Sequence, residues 1–277
     1  MKTILVPTDF SNNANNALKY ANDFATATAN KIVLLHAYTP LVGKYNIIPG
    51  IVAEDIAIEK KGNGKKLEKV RNKYLSVPCI ELVKIGDPID EIIETAQNTK
   101  SQLIIMGTHG ASGLKRILFG SNTSAVISKS TIPVLAIPQR YSFKKINTIV
   151  YASDLNNTIN ELKHIIPIAK QLDATIEILN LDYMYNKNGD KKSLIEKKIK
   201  SLSYKKIKLI EQKATIEQTM IEQIKKYLVK RKPQILVMFP EDKAWFDKLF
   251  IGSKTEELAN QLKLPLLSIR KAIVKTK

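Results

Sequence analysis

The chain has 277 residues, long enough for two domains that each bury a core, and its 44% hydrophobic and 25% charged side chains are ordinary for a soluble globular protein. No stretch approaches the roughly 20 apolar residues of a membrane span, the opening apolar run is too short for a signal peptide, and the single cysteine, Cys79, excludes an internal disulfide and a cysteine metal cluster, so a cytoplasmic location is expected. The formal charge of +18 divides as +6 over residues 1–140 and +12 over the rest; spread along helical segments with no zinc-finger, RNP-like or helix-turn-helix signature beside it, it reads as a solvated lysine-rich surface, with neither membrane nor nucleic acid expected as a partner.

Residues 3–8 form an apolar run ending in Pro7-Thr8-Asp9, which predicts a buried strand with a carboxylate at its C-terminal end. Ser11, Asn12 and Asn13 offer N-caps for a helix whose apolar positions recur at Ala14, Ala17, Leu18, Ala21, Phe24 and Ala25. A second buried strand is predicted over Ile32–Ala37, with His36 near its end. From Tyr38 to Gly64, prolines and glycines punctuate a weak pattern, which reads as a lid or interaction loop before a polar helix over Lys65–Tyr74. Cys79–Val83 alternates as a strand does. Gly86-Asp87-Pro88 then opens a helix with Asp at the N-cap and Pro at the first position.

Leu103-Ile104-Ile105 predicts the next buried strand, and it runs into Met106-Gly107-Thr108-His109-Gly110, followed after nine residues by Gly120-Ser121. Glycines at the end of a buried strand can take positive φ and let backbone N–H groups approach an anion. Ser121 is a candidate N-cap for a helix through Ala125-Val126-Ile127, whose open amides and positive dipole end would be available to phosphate. A last strand over Val134–Ile137 completes an alternating β-α order, which predicts a doubly wound, open parallel five-stranded sheet with a ligand crevice at the carboxyl ends of its strands.

The spacing Gly-x2-Gly-x9-Gly-Ser at Gly107, Gly110, Gly120 and Ser121, with Ile4-Leu5-Val6-Pro7-Thr8-Asp9 and Ile132–Ile137 around it, resembles the nucleotide-binding signature of the universal stress protein (UspA-like) family. The resemblance implies a Rossmann-like, adenine nucleotide alpha hydrolase-like fold and ATP as ligand. It places Asp9 at the adenine or ribose side and the backbone of Ala37 at the adenine edge. Met106, Gly107 and Gly110 would lie along ribose and phosphates, with His109 between the glycines. Gly120, Ser121, Asn122 and Thr123 would donate to phosphate oxygens. Magnesium or manganese would be carried by the phosphates, with no metal held by the protein alone.

The second half repeats the first. Ile149–Asp154 mirrors the opening strand, Thr175–Leu179 the second, and Gly252-Ser253 stands 13 residues before Pro265 as Gly120-Ser121 stands before Pro133. Residues 139–145 read as a connector between domains at 1–140 and 145–277. In the repeated frame Phe239 takes the place of Gly107 and Asp242 that of Gly110, so a bulky ring and a like charge oppose a phosphate, and the second site, with Asp154, Gly252 and Ser253, is expected to be degenerate. The family also implies that the last strands of two such domains associate, here Val134–Ile137 with Leu266–Ile269 as an intrachain pseudo-dimer, with a further homodimer open.

No Walker loop, Gly-x-Ser-x-Gly elbow or His-Glu-x-x-His site is present, and no catalytic residue emerges. The reading is an ATP-binding stress-response or signalling module with nucleotide in its first domain only. Two alternatives stay open: a slow ATP hydrolase, and a non-nucleotide scaffold whose basic second domain binds nucleic acid or an acidic partner.

Overall fold

The computed structural model describes residues 1–40, 49–108, 120–183, 189–240 and 264–271. Two compact units divide the chain between Phe143 and Lys144. In the first, β1 (Thr3–Pro7), α1 (Asn12–Thr28), β2 (Lys31–Tyr38), α2 (Pro49–Tyr74), β3 (Cys79–Ile85), α3 (Pro88–Asn98), β4 (Leu103–Gly107), α4 (Ser121–Lys129) and β5 (Val134–Ile137) alternate along the chain. The second contains β6 (Thr148–Ala152), α5 (Thr158–Leu172), β7 (Thr175–Tyr183), α6 (Gly189–Ser201), β8 (Ile207–Ala214), α7 (Met220–Arg231), β9 (Ile235–Met238) and β10 (Leu266–Ser268).

The strands of the first unit lie in the order β3-β2-β1-β4-β5, and every pair is parallel. Those of the second lie in the order β8-β7-β6-β9-β10, again parallel. Both are doubly wound sheets, as the alternation of apolar runs with helical periodicity predicts. The strands β1, β4 and β5 are buried at every position, which is why they read as continuous apolar runs rather than as alternating ones. The outer strand β3 carries a mixed, half-exposed face.

Helices pack on the sheet in neighbouring pairs, α1 beside α2 and α3 beside α4. Ser11 caps α1, its side chain accepting from the Ala14 N–H, and Asp87 caps α3 by accepting from Ile89 and Asp90, with Pro88 in the first turn.

Two local readings are corrected. The helix expected over Lys65–Tyr74 begins at Pro49, so the punctuated stretch belongs to it from that residue on. Gly62 and Gly64 stand where an added Cβ would meet nothing within 4 Å; each costs about 1 kcal/mol relative to alanine, and a long helix anchored by the buried Leu67 absorbs that. The N-cap of α4 is Gly120 rather than Ser121, with φ −57° and ψ 159°. No left-handed backbone is required there.

Candidate functional site

The order β3-β2-β1-β4-β5 changes direction between β1 and β4, and a crevice opens beyond the carboxyl ends of strands at such a point. A cleft of about 340 Å³ lies there. Its walls are built from the end of β1 and its turn (Pro7, Thr8, Asp9), from Ala14 and Ala37, from Pro88 and Ile92 of α3, from Met106 and Gly107 of β4, and from Gly120 to Thr123.

Local hydrogen bonds fix the turn after β1. The Thr8 N–H donates to Leu35 O at 2.8 Å, the Phe10 N–H to Thr8 Oγ1 at 3.0 Å, and the Ser11 N–H to Asp9 Oδ1 at 3.0 Å. Phe10 itself takes the left-handed conformation, φ 63°. Short side-chain-to-backbone bonds of this kind stabilise tight turns. They leave the Asp9 carboxylate exposed at the mouth of the cleft, with one oxygen engaged in the turn.

Behind that turn His36 is buried, its Nδ1 2.8 Å from Thr8 O. Its ring lies 4.3 Å from that of Phe10 and 5.5 Å from that of Tyr38. Burial lowers its pKa, and the Thr8 carbonyl works in the other direction. The neutral ring with its proton on Nδ1 satisfies both constraints.

Gly107 is glycine for a reason other than φ. It adopts no left-handed conformation, and a Cβ added there would stand 2.7 Å from Asn13 Nδ2 and 3.0 Å from Asn13 O. The first turn of α1 therefore rests directly on the end of β4. Thr123 reinforces the same corner, its hydroxyl donating to Gly107 O at 2.8 Å from a buried position. That bond commits the Thr123 hydroxyl proton to the fold, so of this residue only the backbone N–H remains for an anion.

The glycine before α4 ties the helix back to β4, with the Gly120 N–H donating to Thr108 O at 2.6 Å and the Ser124 N–H to Gly120 O at 3.0 Å. Helical geometry gives the N–H groups of Ser121, Asn122 and Thr123 no partner inside the helix. They open on the cleft wall together with the exposed side chains of Ser121 and Asn122, where the dipole favours an anion.

Of the residues singled out from sequence, Asp9, Ala37, Met106, Gly107, Gly120, Ser121, Asn122 and Thr123 all line this one cleft. His109 and Gly110 lie outside the described residues, as do Asp242, Gly252 and Ser253. Sequence reasoning missed Pro7, Thr8, Ala14, Pro88 and Ile92 as site residues. The signal for Pro88 and Ile92 was the helix start that follows Gly86-Asp87, because a helix opening at a strand's carboxyl end borders the crevice.

The second unit repeats the framework and changes its contents. Ile149 pairs with Ile235 as Ile4 pairs with Leu103, and Leu236 pairs with Leu266 as Ile104 pairs with Val134. These registers put Tyr151 at the place of Val6, Asp154 at that of Asp9 and Phe239 at that of Gly107. The Asp154 turn is built like the first, the Leu155 N–H donating to Ser153 Oγ and the Asn156 N–H to Asp154 Oδ1, with Leu155 at φ 62°. The Asp154 carboxylate meets the Lys271 ammonium at 3.4 Å. Burial alone would raise its pKa, but the Asn156 N–H and Lys271 hold it below the ordinary value. The Phe239 ring is buried against Tyr151, centroids 5.4 Å apart and edge-on.

No helix among the described residues is long and apolar enough to cross a membrane.

Comparison with known proteins matches residues 1–138 to the model of the Universal stress protein family. A universal stress protein of Methanocaldococcus jannaschii is 33% identical over 157 residues, 51% of this chain and 97% of that protein. One of Thermus aquaticus is 29% identical over 141 residues, 49% of this chain and 98% of that protein. Among solved structures, a universal stress protein from Archaeoglobus fulgidus superposes with a TM-score of 0.68 at 19% identity, covering 97% of this chain and 98% of that one. That last likeness extends the fold, and the fold alone, over both units.

Proposed function

The chain belongs to the universal stress protein family, and from that premise we propose that it is a stress-response module of the cytoplasm whose first unit binds ATP. One observation carries the reading: the open N-terminal amides of α4 and the Asp9 carboxylate face the same cleft across an apolar floor. The phosphates sit at the Ser121–Thr123 amides, where the helix end supplies donors and positive potential. The base and ribose lie toward Pro88, Ile92 and Met106, with the Ala37 backbone at the adenine edge and Asp9 accepting from ribose or adenine. Any magnesium or manganese rides on the phosphates.

We place the nucleotide in the first unit only. What supports this is the second unit's Phe239 in the register of Gly107 and Lys271 upon Asp154, which put a buried ring and a lysine ammonium at the places that correspond to the cleft-lining Gly107 and Asp9 of the first unit. The basic second half, +12 by sequence, favours an anionic macromolecule as a second reading. Binding of that kind would fall steeply with salt and ignore adenine nucleotides.

Mass spectrometry of ligand released on denaturing the purified protein, followed by ATP titration with magnesium, tests the proposal. Adenine nucleotide at about one per chain is expected, with affinity at least tenfold weaker in Asp9→Ala, the scale of one lost charge-assisted hydrogen bond. No released nucleotide and no titratable binding would overturn it.

A further inference from the structure

The second unit departs from the first at a set of buried positions that touch one another. In α1 the buried positions include Ala14, Ala17, Leu18, Ala21 and Ala25; in α5, at the same intervals, they are Thr158, Glu161, Leu162, Ile165 and Ala169. Left-handed C-caps, Ala29 and Asp173, close both helices four residues after the last of these. Glu161 therefore stands where the first unit has Ala17, as Tyr151 stands for Val6 and Phe239 for Gly107. Three small or apolar residues have become a carboxylic acid, a phenol and a ring.

The three form one cluster. Tyr151 is fully buried and its hydroxyl donates to Glu161 Oε2, and Phe239 lies edge-on to the Tyr151 ring. Glu161 is 3% exposed. A carboxylate at such a site has lost its water and holds one neutral donor, which does not offset the cost of burying a charge. Two titratable groups face it: Tyr151 from β6, and Lys271 from the segment after β10. Lys271 is shared with Asp154. Neither β7 nor α6, which also pack on α5, brings a charged group that acts on Glu161 among the described residues.

We propose that Glu161 is a proton-binding site and that the second unit is a proton-responsive half of the chain, held together best with the neutral acid buried against Tyr151. The proposal is independent of the nucleotide reading, for neither Glu161 nor Tyr151 has a counterpart among the residues lining the first unit's cleft. Burial pushes the Glu161 carboxyl from its ordinary 4.5 up to about 7, with Lys271 opposing. In the unfolded chain the acid ionises near 4.5, so between that pH and about 7 the unfolded state releases a proton that the folded state keeps. The stabilisation is complete below 4.5 and is lost as pH rises toward and through 7.

The test is carried out on the full chain. Hydrogen exchange of β6 and α5 amides, corrected for intrinsic rates, is compared at pH 5 and pH 7 in wild type and Glu161→Gln. Wild type is expected to lose on the order of 40-fold more protection than the variant over that interval, the figure that follows from the two pKa values by linkage. Equal pH dependence in the two proteins would overturn the proposal. A carbon-13 titration of the wild-type glutamate carboxyls stands independently of whether the variant folds. One buried carboxyl titrating near 7 is expected, and all glutamates titrating in the ordinary range would sink the idea.

Discussion

His36 and Asn180 occupy the same place in the two units and make the same hydrogen bond. Each follows the leucine whose carbonyl accepts from the turn after the first strand of its unit, and each reaches back to that turn: His36 Nδ1 lies 2.8 Å from Thr8 O, and Asn180 Nδ2 donates to Ser153 O at 3.0 Å. An imidazole and an amide thus serve one geometric purpose, to satisfy the backbone carbonyl beneath the Asp9 or Asp154 turn. His36→Asn is expected to be more stable than His36→Ala by about 1–2 kcal/mol, the value of a buried donor. Urea unfolding near neutral pH reads the difference. Because burial depresses the His36 pKa below its ordinary 6.5, protonation opposes folding, so wild type loses stability as pH falls from 6.5 toward the depressed value and His36→Asn loses less.

Gly107 answers to Asn13 before it answers to any ligand. With the added Cβ 2.7 Å from a side-chain nitrogen and 3.0 Å from a backbone oxygen, Gly107→Ala must push the first turn of α1 away from β4. A cost of about 1–3 kcal/mol is expected, typical of overpacking, measurable by denaturant titration in the absence of nucleotide. Stability equal to wild type in the variant would return Gly107 to a role in ligand approach alone.

Glu177 in β7 is buried and held by both ends of the Arg231 fork, at 2.7 to 2.9 Å, and by the Tyr227 hydroxyl at 2.9 Å. This cluster pins α7 to the sheet. Burial acts to raise the Glu177 pKa, but the Arg231 and Tyr227 hydrogen bonds prevail and hold it below the ordinary value. Removing the guanidinium in Arg231→Met leaves a buried carboxylate with one neutral donor. Because Arg231 is half-exposed and screened, the loss is expected at about 2 kcal/mol, under the range for fully buried pairs. It should be evident at pH 7 in thermal unfolding and should shrink as pH falls below the ordinary 4.5 and through the depressed folded value, where the folded carboxyl takes up its proton and the ion pair is lost.

The sheet was legible in the sequence because its central strands are buried on both faces, and burial of that kind writes itself as unbroken apolar runs such as Leu5-Val6 and Ile104-Ile105. Helix starts were legible where a side chain does the capping, at Ser11 and Asp87. They were not legible where backbone does it: Gly120 caps α4 with no side-chain bond, and Ser121 beside it looks like the better cap. The beginning of α2 was hidden by Gly62 and Gly64, which the helix tolerates in its interior, each with open space where a Cβ would stand. In the candidate site, spacing found the residues that follow strands β1 and β4, since those lie where the chain turns. It could not separate a glycine that admits a ligand from one that admits a neighbouring helix, because both demand the absence of a Cβ. The pairing of Tyr151 with Glu161 was also out of reach, since a buried acid on an amphipathic helix reads as a solvated position until its partner on β6 is known.

The central claim, one adenine nucleotide per chain with its phosphates on the α4 amides, is tested most directly by calorimetric ATP titration of wild type and Ser121→Glu. The introduced carboxylate is favourable to the fold at a helix N-terminus and repels the phosphates from the place proposed for them. Wild type should bind at about one per chain, and Ser121→Glu should bind at least tenfold more weakly with its thermal stability unchanged or raised. Two nucleotides per chain, or equal affinity in the two proteins, would contradict the account.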